Sequence, residues 1–125
     1  MKSDFFKIDS SEKYYILGLL YSDGYLTENN NKEYVGLKLI DKQILDDISL
    51  LIECKQPYKC GITSANNQLY RIDFRDKQVI DDLKNLGLHK RKTFTTTYPN
   101  IPFEYNSDFI RGVFDGDGCI KKKKK

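Results

Sequence analysis

The chain has 125 residues, of which 39% are hydrophobic and 13% aromatic, so it can bury one modest core and is expected to form a single small domain. Its 21 basic residues are nearly balanced by 18 acidic ones, and the formal charge of +3 does not identify a polyanionic partner by itself. Three cysteines without zinc-site or disulfide spacing, and the lack of a leader or of an apolar run near the roughly 20 residues that span a bilayer, predict a cytoplasmic protein with no membrane partner.

The first predicted elements are a helix and a hairpin. Asp9 and Glu12 have the spacing of a capping box ahead of the apolar run YYILGLLYSDG, and the helix is expected to stop at Gly24. An asparagine cluster at residues 29–31 marks a turn, and polar and apolar residues then alternate through YVGLKL. This alternation predicts a hairpin with one apolar face.

A helical pattern follows each of two hairpins, and it is duplicated. DKQILDD (residues 41–47) and DKQVIDD (residues 76–82) match at five of seven positions, at an offset of 76 − 41 = 35 residues. Between them, a second hairpin is predicted to turn at Asn66 and Asn67. The duplicated unit predicts an α+β fold of order αββαββα, in which helices cover one face of a four-stranded antiparallel sheet and the other face stays polar.

The stretch after Gly87 has little periodicity and contains Pro99 and Pro102, so we interpret it as a connector that leads to a second glycine-bearing helix. We therefore place a first module at residues 1–98, a connector at 99–106, and a second helix with the start of a further module at 107–125. His89, the sole histidine, is assigned no catalytic role.

Small residues recur at a spacing of four in both helices: Gly18 and Ser22 in the first, Gly112 and Gly116 in the second. Residues four apart share a helix face, so each helix offers a groove in which another backbone can approach closely. Glycine inside a helix costs about 1 kcal/mol relative to alanine, which indicates that close approach matters here. We expect the two helices to pack through these faces, although Gly116 and Gly118 could also simply end the second helix.

An aspartate lies five residues after the first glycine of each helix, namely Asp23 and Asp117, and each is followed by glycine. Packing the helices about a pseudo-twofold axis would bring both carboxylates together at the negative ends of the helix dipoles. Such a pair either has a raised pKa or binds a cation, and oxygen ligands without a His or Cys cluster favour Mg²⁺, Mn²⁺ or Ca²⁺ over zinc. A shared divalent metal suits phosphodiester hydrolysis.

The runs ILGLLYSDG and FIRGVFDGDG both resemble the LAGLIDADG motif, at a separation of 117 − 23 = 94 residues. With the intervening pattern, the chain resembles one module of a two-motif LAGLIDADG homing endonuclease plus a second motif helix. The resemblance implies a curved sheet in the major groove of double-stranded DNA and an intron, intein or phage origin. It also implies a catalytic site at Asp23 and Asp117, with Gly24 and Gly118 beside the metal, which would be Mg²⁺ or Mn²⁺, with Ca²⁺ as a non-catalytic substitute.

The polar sheet face is the expected DNA contact surface. Basic and hydrogen-bonding side chains that alternate with core residues are suited to read bases and phosphates. The candidates are Lys38, Lys59, Thr63, Arg71, Asp73 and Arg75. Each alone could equally be part of a solvated strand face.

The expected second module departs from the family pattern. It would need two further hairpins and two helices, but after Ile120 the sequence continues as KKKKK, which we interpret as a truncation, a frameshift product or a basic tail. A homodimer that pairs glycine-faced helices of two chains would supply two sheets around one metal site.

Three hypotheses follow. The first is metal-dependent, site-specific hydrolysis of double-stranded DNA, which the presence of both acids favours. The second is a non-catalytic relic of the same fold, either a DNA-binding regulator or an RNA-binding maturase-like protein, which the absence of a second sheet favours. The third is that the paired motifs only hold a homodimer together.

Overall fold

A computed structural model describes residues 1–89, 92–94 and 101–121, with side chains for residues 1–88 and 101–116. Within these residues the fold is α+β, with four α-helices and a four-stranded antiparallel sheet. The elements in chain order are α1 (Ser11–Asp23), β1 (Gly24–Asn29), β2 (Lys32–Leu39), α2 (Lys42–Ile52), β3 (Tyr58–Ile62), β4 (Gln68–Phe74), α3 (Lys77–Asn85), β5 (Leu88–His89), β6 (Lys92–Phe94) and α4 (Asn106–Lys121). Short 3₁₀ turns precede α1 and α4, at Phe5–Lys7 and Phe103–Tyr105.

The predicted αββαββα order and antiparallel sheet are confirmed. The strands lie in the order β1-β2-β4-β3, so the second strands of the two hairpins pair at the centre of the sheet. The stretch after Gly87, which we interpreted as a connector, contains β5 and β6, and these form a small two-stranded antiparallel sheet that the sequence did not predict. Strands of two and three residues are too short to produce a recognisable alternation in the sequence.

The 35-residue duplication is visible in the hydrogen bonds of α2 and α3. Asp41 and Asp76 are the N-caps, and their carboxylates accept from the backbone N–H groups of Gln43 and Gln78 at 3.0 and 2.9 Å. The side-chain amides of these same glutamines then donate to the aspartates four residues later in both copies. The repeated DKQ therefore specifies the same helix start twice.

The duplication extends into the sheet. Leu37 of β2 pairs directly with Ile72 of β4, and their separation is 72 − 37 = 35 residues, the same offset as in the helices. The two flanking pairs are Gly36 with Asp73 and Lys38 with Arg71. Arg71 lies 71 − 36 = 35 residues after Gly36, and Asp73 lies 73 − 38 = 35 residues after Lys38, so the offset maps each pair onto the other. A local pseudo-twofold axis therefore passes between Leu37 and Ile72.

The core lies between the inner face of this sheet and the helices. Its fully buried side chains come from all four helices and the central strands: Ile16, Leu17, Leu19, Leu20, Leu37, Leu39, Leu45, Ile48, Ile72, Phe74, Leu83 and Phe109. Apolar residues occur all around α1 because it contacts the sheet as well as α4. Among the described residues, no helix combines the length and the apolarity that a membrane crossing requires.

The start of α1 differs from the predicted capping box. Ser10, not Asp9, is the N-cap, and its hydroxyl accepts from the backbone N–H of Lys13 at 3.0 Å. Asp9 instead accepts from the Lys13 ammonium at 3.0 Å and from the Tyr14 hydroxyl at 2.8 Å. The hydrogen bonds from Lys13 and Tyr14 hold the pKa of Asp9 below its usual range. The other end of the helix is as predicted, since α1 stops at Asp23 and Gly24 is its C-cap.

Candidate functional site

The two glycine-bearing helices, α1 and α4, pack against each other with their backbones in contact. A Cβ atom added to Gly18 would meet the carbonyl oxygen of Phe109 and would lie 2.8 Å from the backbone nitrogen of Val113. A Cβ added to Gly112 would meet the carbonyl oxygen of Tyr15 and would lie 3.0 Å from the Cα of Gly18. Any side chain at either glycine would therefore force the helices apart.

The other two small residues lie one turn further along the same contact. A Cβ on Gly116 would meet the hydroxyl oxygen of Ser22. That hydroxyl donates to the carbonyl oxygen of Leu19 at 3.1 Å, so Ser22 satisfies its polar group within its own helix. The structure thus brings together Gly18, Ser22, Gly112 and Gly116 along one helix crossing.

A hydrogen bond that the sequence analysis missed fixes how the two helices align. The Tyr15 hydroxyl donates to a carboxylate oxygen of Asp115 at 2.7 Å, across 100 residues of sequence. The guanidinium of Arg111 lies over the same tyrosine ring, 4.6 Å from its centre. Tyr15 lies three residues before Gly18, and Asp115 lies three residues after Gly112. Their spacing from the two glycines was therefore the sequence feature that could have identified both residues as part of the helix contact.

The predicted acid of the first motif lies at this crossing. Asp23 is the last residue of α1, and its Oδ2 atom is buried. A Cβ on Gly116 would lie 3.2 Å from this oxygen, so the absence of a side chain at Gly116 lets α4 pack closely beside the carboxylate. Asp117 and Gly118 follow Gly116 in α4, but the Asp117 side chain is outside the described part of the chain.

The remaining predicted metal-site residue, Gly24, begins β1 while its N–H still bonds to the carbonyl oxygen of Leu20. Among side chains that the structure describes, no group of three or more His, Cys, Asp and Glu is arranged to hold a metal. Asp23 and Asp115 are the carboxylates at the crossing whose side chains the structure describes, and Asp115 accepts from the Tyr15 hydroxyl. A hard cation such as Mg²⁺ prefers oxygen ligands of this kind.

The face of the sheet that points away from the helices carries a cluster of charged and aromatic side chains, which we call the outer cluster: Tyr25, Tyr34, Lys38, Tyr58, Arg71, Asp73 and Arg75. Asp73 is at its centre. One carboxylate oxygen accepts from Nε of Arg71 at 2.7 Å, and the other accepts from the Tyr58 hydroxyl at 2.7 Å and lies 3.7 Å from Nη2 of Arg75.

Cations and tyrosine rings interleave in the outer cluster. The guanidinium of Arg71 lies 5.5 and 5.2 Å from the ring centres of Tyr25 and Tyr34, and that of Arg75 lies 4.6 Å from Tyr34. The Lys38 ammonium lies 5.7 Å from the Tyr25 ring. Such contacts orient cationic side chains over the sheet instead of leaving them free in solvent.

Burial and hydrogen bonding perturb the titration of this cluster. Burial, together with the hydrogen bond to Asp73, raises the pKa of Tyr58 to about 12. Burial also raises the pKa of Tyr25. For Arg71, burial disfavours the charged form, but the bonds to Asp73 and Tyr34 outweigh it and raise the pKa. Tyr25 and Tyr58 therefore stay neutral and Arg71 charged at physiological pH.

Two of the six predicted DNA contacts, Lys59 and Thr63, are not part of the outer cluster. Lys59 pairs with Tyr70, whereas its neighbour Tyr58 pairs with Arg71, so Lys59 points to the opposite side of the sheet. Thr63 lies beyond the end of β3, and its hydroxyl accepts from the backbone N–H of Asn67 in the hairpin turn. A register shift between Lys59 and Gly61 disrupts the alternation on which the prediction depended.

The other four predicted contacts, Lys38, Arg71, Asp73 and Arg75, all belong to the outer cluster. Its tyrosines were missed, although Tyr34 alternates with core residues in the same way as Lys38. Tyr58 and Asp73 also line an open cleft of about 690 Å³ with Met1, Cys54 and Arg75.

No protein-family model matches the chain. The chain is 25% identical over 135 aligned residues to the ribonucleoside-diphosphate reductase NrdEB subunit alpha of Bacillus subtilis and to its counterpart from Bacillus phage SPbeta. It is also 25% identical over 124 residues to a glutamine–fructose-6-phosphate aminotransferase of Methanocaldococcus jannaschii. Each alignment covers 95% of this chain but only 11% or 12% of the relative, so the chain is similar to a minor part of enzymes with two different activities.

Proposed function

We propose that the chain is a LAGLIDADG-type homing endonuclease module that hydrolyses double-stranded DNA at a specific site with a divalent metal. The observation that carries this proposal is the backbone contact between α1 and α4 at Gly18 and Gly112. It requires glycine at both positions, and further along the same contact Gly116, the residue before Asp117, lies beside the carboxylate of Asp23, the last residue of α1.

The proposed metal is Mg²⁺, held by Asp23 and Asp117. The residues present fit a hard cation, because the Asp23 carboxylate supplies oxygen and the absence of a side chain at Gly116 lets the backbone of α4 approach this carboxylate. A divalent ion bound there would stabilise negative charge on the scissile phosphate and favour ionisation of water. The helix contact holds Asp23 in place, and its oxygen is shielded from bulk solvent.

The outer cluster is the proposed DNA surface. Lys38, Arg71 and Arg75 against Asp73 give this patch a local charge of 3 − 1 = +2, although the whole chain is nearly neutral. A face of β-strands fits the major groove of B-DNA, which is about 12 Å wide and displays a distinct donor and acceptor pattern for each base pair. Lys59 and Thr63 are not part of this proposal, because Lys59 points to the other side of the sheet and the Thr63 hydroxyl is engaged in the hairpin turn.

The comparisons support an inserted origin. Segments similar to nearly the whole chain occur in a reductase subunit and in an aminotransferase, whose named reactions have nothing in common. A module found in both depends on neither reaction, as expected for an endonuclease encoded by an element inserted into a host gene. One relative belongs to a phage, in agreement with a mobile origin.

Cleavage of a library of randomised DNA duplexes, with and without Mg²⁺, tests the proposal. We expect Asp23→Asn and Asp117→Asn each to reduce cleavage by more than the roughly 10- to 100-fold that loss of an outer-shell metal partner costs, while leaving binding largely intact. The control is Asp81→Asn, the same charge change at an exposed position of α3.

Normal cleavage by either variant would refute the metal site. A wild-type chain that binds duplex DNA in a salt-dependent, Mg²⁺-indifferent manner and cleaves no member of the library would instead establish the non-catalytic regulator. Preferential binding to structured RNA would favour the maturase-like alternative.

A further inference from the structure

Asp73 was predicted as a DNA contact, but its surroundings suit a different role. Its side chain is only 10% exposed, and hydrogen bonds from Nε of Arg71 and from the Tyr58 hydroxyl engage both of its oxygens. A carboxylate facing DNA would also repel the phosphates. Asp73 is therefore poorly placed to accept from a base, and well placed to hold its neighbours.

The neighbour that Asp73 holds most directly is Arg71. This guanidinium is fixed on three sides, by the carboxylate at Nε and by the rings of Tyr25 and Tyr34. The Tyr25 ring itself packs over Gly36, where a Cβ would lie 2.5 Å from the phenol oxygen. Each support restricts the rotation of a long side chain that would otherwise lose entropy on binding.

The restrained side chain of Arg71 lies where it could contact a bound DNA duplex. It lies on a central strand, between Lys38 on one side and Tyr58 on the other, in the middle of the outer face. Its Nε donor is committed to Asp73, and the fork of two Nη atoms is the part of arginine that pairs with O6 and N7 of guanine.

We infer that Asp73 is a positioning residue that holds Arg71 in the orientation needed to read a base pair, and that Asp73 does not itself contact DNA. This inference rests on the proposed DNA-binding function. It assigns sequence preference at one base pair to the Arg71–Asp73 pair, and it predicts guanine as the preferred base.

The test exploits two effects of opposite sign. Asp73→Asn removes a negative charge, and general electrostatics then strengthens binding to every DNA sequence. Loss of positioning instead weakens binding, but only to sequences that the wild type prefers. We expect Asp73→Asn to lose about 10-fold in affinity for duplexes selected by the wild type from a randomised library, and to bind unselected duplexes at least as tightly as the wild type.

Three further variants make the comparison specific. Asp81→Asn, the same charge change on the exposed surface of α3, should keep the wild-type preference. Arg71→Lys should lose the same base preference, because lysine cannot form the forked contact. The double variant Arg71→Lys/Asp73→Asn should lose little more than either single variant, since both disable one contact.

An NMR measurement tests the arrangement without DNA and without an Asp73 variant. Slightly above neutral pH, the Nε–H of Arg71 should remain visible and protected from exchange, in contrast to that of Arg111, whose side chain is 61% exposed. Rapid exchange at Arg71 would overturn the inference. Unchanged preference in Asp73→Asn, with a wild type that binds DNA, would also overturn it while leaving the proposed function standing. A wild type that binds no duplex would overturn the proposed function and the inference together.

Discussion

At Gly112, two consequences of adding a methyl group oppose each other. Alanine is the better helix former by about 1 kcal/mol, which alone would stabilise α4. The added Cβ would meet the carbonyl oxygen of Tyr15 and approach the backbone of Gly18, however, and these main-chain atoms cannot rotate away. Overpacking of this kind costs about 1–3 kcal/mol or more. We expect Gly112→Ala to lower the free energy of unfolding by at least about 1 kcal/mol, measured by urea denaturation.

The matched control is Ile110→Ala on the outer side of the same helix. Ile110 is 52% exposed, so its truncation should change the free energy of unfolding by no more than about 0.5 kcal/mol. A Gly112→Ala protein as stable as the wild type would contradict the close contact between α1 and α4.

At the residue scale, spacing alone was enough to find the glycines and Asp23, because a four-residue repeat fixes a helix face whatever the tertiary structure. It could not find the bond between Tyr15 and Asp115, which depends on how two distant helices align. The role of Asp73 was equally hidden, since its partners come from different strands. Lys59 was placed on the wrong face because a single register shift reverses the alternation.

At the scale of elements, the two copies of DKQ allow a paired prediction. Asp41 accepts one backbone N–H, from Gln43, whereas Asp76 accepts two, from Gln78 and Val79. Loss of an N-cap costs about 0.5–2 kcal/mol. We therefore expect Asp76→Ala to destabilise the protein more than Asp41→Ala does, by denaturant unfolding. Asp76 also accepts from the Ser3 hydroxyl, so equal effects would mean that neither this bond nor the second backbone hydrogen bond contributes to stability.

The Asp76 cap also predicts a pH dependence. The hydrogen bond from the Ser3 hydroxyl, with those from the two backbone N–H groups, lowers the pKa of Asp76 despite an opposing effect of burial. Because the folded-state pKa is below the unfolded value of about 4, the stabilisation is complete above that pH and is lost as the pH falls through the folded-state pKa. The stability difference between wild type and Asp76→Asn should thus be constant from neutral pH to about 5 and should shrink below 4. A difference that grows as the pH falls would contradict this assignment.

Long elements were predictable because their hydrophobic period repeats several times. The duplication helped further, because the same strands and helix could be predicted independently from each of its two copies. The pairing of Leu37 with Ile72 shows why the repeat was informative: one offset fixes the cap of each helix and also the register of the central strands. The strands β5 and β6 have no second copy and no repeated hydrophobic period, so nothing in their sequence distinguishes them from a connector.

At the scale of the whole molecule, the two faces of α4 have different surroundings. Its glycine face is occupied by α1 of the same chain. On its outer side, Ile110 and Phe114 are 52% and 72% exposed. The residues at equivalent positions of α1, 94 residues earlier, are Ile16 and Leu20, and both are fully buried against the core. The described part of the chain therefore covers this motif face in α1 but not in α4.

The occupied glycine face and the exposed outer side of α4 lead to different expectations for the solution mass measured by light scattering. A homodimer through the glycine faces would have to exchange α1 or α4 between chains, because each chain already fills its own groove. We therefore expect the mass of one chain at low protein concentration, unchanged by Mg²⁺, since the proposed metal site lies between helices of one molecule. A dimer that Phe114→Gln abolishes would place the contact on the outer side of α4. A dimer that survives this substitution would mean that the glycine-faced helices pair between chains, and it would refute the intramolecular arrangement on which the proposed site depends.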